Sequence, residues 1–248
     1  MRKRQPGLLF EALLALLRTS RAYHRYECEG YHNIPVDRSA LLVGYHGRPF
    51  AWDYYHLALK LYEDCGYYPR TFTLHTFQWL PLLNRLSEQA GALYEVPAPA
   101  EMARIKNAGE KIIVLPGGSR EALRPFWVPA QVDFGRRRGY LRFAANNDLP
   151  VVPFVASGVD SVYLGINDGY RLSRRLFGHG KIPLWGGIGI GGLWPLALPW
   201  PTKIRQRIGE PIDLAPLRAQ SNNEADFLER ANQRVTQAMQ QMLDEVAT

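Results

Sequence analysis

A histidine that closes an apolar run, followed by an aspartate at the head of a helical pattern, can pair an imidazole base with a carboxylate. Residues 45–56 read Tyr-His-Gly-Arg-Pro-Phe-Ala-Trp-Asp-Tyr-Tyr-His. His46 ends the run 40–45, and Asp53 stands near the start of a helical pattern over 51–65. In that arrangement the carboxylate fixes one imidazole tautomer and stabilises its cation, and the imidazole takes a proton from a hydroxyl near neutral pH. A loop histidine with Asp53 as a simple N-terminal helix carboxylate fits the same spacing. His56, one helical turn beyond Asp53, is a second candidate partner for that carboxylate.

Two further segments carry unusual chemistry. Residues 115–122 read Leu-Pro-Gly-Gly-Ser-Arg-Glu-Ala. Gly117 and Gly118 let backbone approach a ligand closely. Arg120 can hold a phosphate or polar head, and Glu121 can orient it; a tight structural turn is the plainer alternative. Ser119 lacks the Gly-x-Ser-x-Gly elbow of a hydrolase nucleophile, and no Gly-Lys-Ser/Thr follows as in a phosphate loop. Arg136, Arg137 and Arg138, between Gly135 and Gly139, precede a helical pattern, where three guanidiniums form either an anion site or a solvated basic turn.

Strand-like runs at 40–45, 70–75, 92–96, 111–115, 150–156 and 203–208 alternate with helical patterns at 51–65, 77–90, 101–109 and 137–147. Ser221 and Glu224 form a capping box before a final helix with the stripe Phe227, Ala231, Val235, Met239 and Met242. This alternation predicts a single α/β domain with a largely parallel, mixed central sheet flanked by helices. In such sheets ligands sit beyond the carboxyl ends of strands, where all three segments fall. An amphipathic helical segment spans residues 1–30 and the α/β domain 31–248.

The chain has 248 residues, 46% hydrophobic and 21% charged, so it can bury a core. Cys28 and Cys65 are too few for a disulfide framework or a cysteine-built metal site and read as reduced thiols. Arg supplies 24 of the 30 cations behind a net charge of +7, which suits phosphorylated ligands or an anionic membrane. The basic residues are scattered and form no nucleic-acid motif, so nucleic acid is not expected as a partner.

The N-terminal pattern is helical. Leu9, Leu13, Leu16 and Leu17 share one face, and Arg4, Glu11, Arg18 and Arg25 recur on another. Such a helix lies in a membrane interface or packs on its own domain. Residues 182–202 hold no charge, but five glycines and four prolines argue for an apolar loop rather than a membrane span. Trp185, Trp194 and Trp200 then sit at headgroup level or line a pocket.

The order and spacing of these motifs resemble the PlsC-type lysophospholipid/glycerolipid acyltransferase superfamily, and within it the branch of monoacylglycerol and diacylglycerol acyltransferase-like proteins. The resemblance runs from about Ala40 to Leu214. It rests on the Tyr-His-Gly start, on Asp53-Tyr54-Tyr55, on Pro116–Ala122 as Pro-Gly-Gly-x-Arg-Glu-Ala, and on the late Gly-x-Pro-Ile at 209–212. The superfamily spacing is His-x4-Asp; here it is His-x6-Asp.

The resemblance implies a lipid O-acyltransferase that uses His46 as base, oriented by Asp53, to activate an acceptor hydroxyl against an acyl-CoA or acyl-carrier-protein thioester. Gly117, Gly118, Arg120 and Glu121 bind the acceptor head or help place the donor. From their charge, Arg136, Arg137 and Arg138 meet the donor's phosphates or anionic lipid. Neither cofactor nor metal is expected, and the expected location is cytoplasmic, at a membrane surface. A catalytically silent lipid-binding relative is the alternative.

Overall fold

Short apolar strands and amphipathic helices alternate along the chain because each strand needs both faces covered. The computed structural model describes residues 7–49, 51–73, 78–79, 81–178 and 183–247. The strands are β1 (Glu27–Glu29), β2 (Leu41–Gly44), β3 (Arg70–Phe72), β4 (Ala92–Leu93), β5 (Ile112–Val114), β6 (Val151–Ser157), β7 (Leu164–Gly165), β8 (Gly187–Gly189), β9 (Gly192–Leu193) and β10 (Arg205–Ile208). The helices are α1 (Leu8–Tyr23), α2 (Trp52–Cys65), α3 (Pro81–Gln89), α4 (Pro99–Asn107), α5 (Ser119–Ala122), α6 (Gly139–Asn146), α7 (Tyr170–Phe177), α8 (Ala215–Ala219) and α9 (Glu224–Ala247).

Seven strands form the main sheet in the order β1-β10-β6-β2-β5-β3-β4. β2, β3, β4, β5 and β6 run parallel, while β10 pairs antiparallel with β6 and carries β1 alongside it. The expected α/β class with a largely parallel, mixed sheet is therefore what the chain forms. Strand side chains alternate between faces. Leu41 and Val43 join a core with Val151, Phe227 and Val235, whereas Leu42 joins Leu14, Leu57 and Phe154 on the other face. Helices thus cover the sheet on both sides, with α9 against β6.

Three sequence expectations change. On α1 the buried face is Phe10, Leu14, Leu17 and Ser20; Leu16 is exposed. Leucines populate two overlapping faces, and the ring of Phe10 decides between them by packing edge-on against Tyr62 and Tyr68. Arg18 and Arg21 then pair with Glu63 of α2, so this face of α1 is occupied by its own domain. Arg4 lies outside the described residues.

The start of α9 is also shifted. Asn223, not Ser221, accepts the Asp226 amide at 3.0 Å, and Asp226 reaches back to the Asn222 amide at 3.0 Å. The Ser221 hydroxyl instead donates to the Leu217 carbonyl at the end of α8, which removes it from the cap. The stripe Phe227, Ala231, Val235 and Met239 is buried as expected.

Residues 183–202 are not an irregular loop. β8 and β9 join β7 in a small antiparallel sheet, extended by a bridge between Ile190 and Leu198. Trp185 is buried in it, while Trp200 lies at the surface. Among the described residues no helix is long and apolar enough to cross a membrane. Residues 74–77 and 80, which contain the expected end of one strand and start of a helix, lie outside the described residues.

Candidate active site

β2, β5 and β6 are adjacent and parallel, so their carboxyl ends open at the same edge of the sheet. β2 leads to Tyr45 and His46, β5 to the turn at 116–118, and β6 to Asp160. The His46 amide donates to Glu121 Oε2 at 2.9 Å, which fastens the first segment to the second. Glu121 Oε1 also accepts the Asp133 amide at 2.7 Å. One fully buried carboxyl group therefore holds together the loops after β2 and β5 and the segment before the three arginines.

Glycine is required beneath it. A Cβ on Gly117 would lie 2.0 Å from the Glu121 carboxyl group. Gly118 adopts φ +49°, in the region that favours glycine. Arg137 closes the turn by donating to the Pro116 and Gly117 carbonyls at 2.7 and 2.6 Å. Burial pushes the Glu121 carboxyl up to about 8, despite its two amide donors, with Asp160 and Asp53 adding like-charge repulsion.

The His46 ring is half-buried, and its Nδ1 lies 2.8 Å from the Gly47 carbonyl oxygen. A carbonyl only accepts, so Nδ1 carries the hydrogen and Nε2 keeps its lone pair. Burial lowers the imidazole below its ordinary value, so the ring is neutral at pH 7. This is the protonation state of a base.

Asp53 is buried at the first turn of α2, with neither carboxyl oxygen in a side-chain hydrogen bond of good geometry. Desolvation pushes it up to about 7; the Tyr54 amide opposes the shift and the charge of Asp160 adds to it. Asp53 makes no hydrogen bond to His46. With the longer His-x6-Asp spacing, the ring turns to its neighbour's carbonyl instead. His56 does not partner Asp53 either. Its Nε2 faces the Ser20 hydroxyl at 3.1 Å, and burial lowers it to about 3.

The remaining arginines are mostly committed. Arg120 pairs with Asp133 at 2.8 Å, and Arg138 with Glu229 at 3.1 Å and the Gly135 carbonyl at 2.8 Å. Arg136 is exposed and in no ion pair among the described residues. It is the member of the triplet left open to a ligand.

Sequence reading missed a buried cluster behind His46. Tyr45 donates to Asp160, Arg124 donates to the Tyr45 hydroxyl, and Arg124 lies 3.7 Å from Asp160. Arg48 ties this cluster down through the Arg124 and Pro125 carbonyls at 2.9 and 2.8 Å. Asp160 raises the imidazole against the dominant effect of burial. The signal available in sequence was its place just beyond the carboxyl end of β6.

Asp53 and Glu121 make stability depend on pH. A carboxyl group whose folded value lies above its unfolded one holds its proton longer when folded, so its contribution is full below about pH 4 and fades as pH rises through the folded value. Asp53→Asn removes this for one group. Its melting temperature relative to the parent should therefore rise between pH 5 and pH 8; a constant difference across that range would refute the buried, proton-holding carboxyl.

No protein-family profile matches the chain. A solved 1-acyl-sn-glycerophosphate acyltransferase, PlsC from Thermotoga maritima, superimposes with a TM-score of 0.53 at 19% identity, covering 97% of this chain and 86% of that one. The chain has the PlsC acyltransferase fold, as the sequence resemblance implied. A human "DGAT1/2-independent enzyme synthesizing storage lipids" is 28% identical over 198 residues, or 78% of this chain and 56% of that protein. An uncharacterized protein of Mycobacterium bovis is 27% identical over 199 residues, 77% of this chain and 53% of its own. The chain spans about half the length of these curated relatives.

Proposed function

We propose that the protein is an acyltransferase that moves a fatty acyl group from an acyl-CoA or acyl-carrier-protein thioester to a hydroxyl of a lipid acceptor. The observation that carries this reading is His46, held by the Gly47 carbonyl in the tautomer that frees Nε2, at the carboxyl ends of three parallel strands on a PlsC-like fold. Nε2 takes the acceptor's hydroxyl proton as the oxygen attacks the thioester carbonyl. The tetrahedral adduct collapses with cleavage of the carbon–sulfur bond, and the imidazolium returns its proton to the departing thiolate. The acyl group passes directly between substrates, with no acyl-enzyme.

Asp53 favours the transient imidazolium through space, and Glu121 holds the base's loop against the turn at 116–118. Arg120, exposed at the turn, borders the acceptor head and Arg136 meets donor phosphate, while Gly117, Gly118 and the buried Glu121 shape the turn and Arg137 and Arg138 brace its loop. No cofactor or metal enters this scheme, and the lipid acceptor is met at a membrane surface on the cytoplasmic side.

The test is transfer of a labelled acyl group from acyl-CoA to a panel of hydroxylated lipids in vesicles. Labelled product names the acceptor class. Lipid binding without transfer from either donor type favours a silent lipid-binding relative, a reading to which the missing His46–Asp53 hydrogen bond lends weight.

Because burial lowers the imidazole, kcat/KM of the Asp53→Asn variant, which lacks the carboxyl that titrates near 7, should hold its plateau from neutral pH down past pH 6.5 before falling on the acid side. A midpoint above pH 6.5 in the pH–rate profile would show a base other than this one.

A further inference from the structure

The small sheet is built inside out. On β8 the glycines face inward: a Cβ on Gly187 would lie 2.3 Å from the Trp185 ring, and one on Gly189 2.8 Å from Tyr163. Alternation then sends Ile188 and Ile190 outward. The register places Leu164 and Leu193 on either side of Ile188, and Leu198 opposite Ile190. All five are solvent-exposed, up to 65% for Leu198. A sheet normally hides such a face and shows water its polar one, and contiguous exposed apolar surface marks an interaction site.

What fits against this face is indicated by the next element. The chain leaves β7 through residues 166–169 into α7, whose start is tied back to the sheet's approach by the Leu184 amide on the Gly169 carbonyl. α7 reads Tyr-Arg-Leu-Ser-Arg-Arg-Leu-Phe and buries only Ser173. Leu172 and Leu176 are exposed one turn apart, and Arg171, Arg174 and Arg175 are exposed on the adjoining side. None of the three is in an ion pair among the described residues. The nearest acid in sequence, Asp168, turns Oδ1 to the Tyr170 and Arg171 amides and makes no ion pair with these arginines among the described residues. Exposed aliphatic side chains beside uncompensated guanidiniums complement acyl chains under anionic headgroups.

We infer that the outer face of the β7-β8-β9 sheet and the adjoining α7 form a docking surface for an anionic lipid bilayer. Tyr170, the first residue of α7, is hydrogen-bonded to Ser119 beside Gly118. Docking on this face therefore brings the turn at 116–118 to the bilayer. The surface is separate from the reacting groups and is tested without any acyl donor.

The test is sedimentation of the full chain with vesicles of phosphatidylcholine alone and of equal parts phosphatidylcholine and phosphatidylglycerol. The parent should bind the mixed vesicles and bind them better than the neutral ones. Arg171→Gln/Arg174→Gln/Arg175→Gln should weaken binding to mixed vesicles by roughly a hundredfold. Ile190→Ser/Leu198→Ser should weaken binding to both kinds by roughly tenfold or more. Arg234→Gln, an exposed change on α9, should leave binding unaltered. All of these positions are exposed, and unchanged melting temperatures confirm intact folds. Equal binding by all variants, or none by the parent, overturns the proposal. So does a parent dimer that the serine variant dissociates while vesicle binding persists, because the face then belongs to a second copy. Acyl transfer to a detergent-dispersed acceptor should be the same in parent and surface variants, which separates failure of docking from failure of the acyltransferase reading.

Discussion

His46→Ala should lower kcat/KM by about 10²–10⁴-fold, or about 3–5 kcal/mol of transition-state stabilisation, with acceptor binding little changed. The ring makes one hydrogen bond, to the adjacent Gly47 carbonyl, and is only half-buried, so its removal should spare the fold. The effect falls on the step in which the acceptor oxygen loses its proton. Asp53→Asn should cost markedly less, since Asp53 shares no hydrogen bond with the ring and the carboxylate charge that raises the imidazole is that of Asp160. Equal losses in both variants, measured at pH 8 where Asp53 is ionised, would instead mean that a direct imidazole–carboxylate bond forms during turnover and that the Gly47 carbonyl is not the decisive partner.

Gly117→Ala should be the most damaging small substitution at the site. Its new methyl group would stand 2.0 Å from the Glu121 carboxyl carbon, and the carboxyl group cannot give way without releasing the His46 and Asp133 amides. Overpacking of this kind costs about 1–3 kcal/mol, and two half-buried amides would lose their acceptor as well. A lowered denaturant midpoint should come with a loss of activity larger than the loss of folded protein, because the loop that aims His46 loses its anchor. Full activity in the folded fraction would show that Glu121 does not position the base.

Much of this arrangement was legible in the sequence because it depends on local rules. Apolar runs such as 150–156 become buried strands, and motif residues at strand ends converge because parallel strands open at one edge. What escaped depends on tertiary choice. Leucines populate two faces of α1, and only the neighbouring rings of Tyr62 in α2 and Tyr68 beyond it select Phe10 and Leu14. Arg137 resembles a free phosphate ligand until the carbonyls of residues 116 and 117 appear beside it. Asp160 carries no motif and matters only because β6 lies next to β2. The glycines of 186–192 signal broken structure by composition, yet they are what lets Trp185 and Tyr163 pack flush beneath a strand.

The order of the strands also bears on how the protein is made. β2, the central strand, is flanked by β5 and β6, and among the described residues β1 pairs only with β10, with Glu27 opposite Arg205. A ribosome delivers Leu41–Gly44 long before Val151–Ser157, and pairings so distant in sequence close slowly. The nascent chain therefore carries an apolar strand that is unpaired until β5 is made and open along one edge until β6 follows, a state prone to aggregation at the concentrations of a cell. Expression of this protein should depend on chaperone capacity and on translation speed more than its finished stability would suggest.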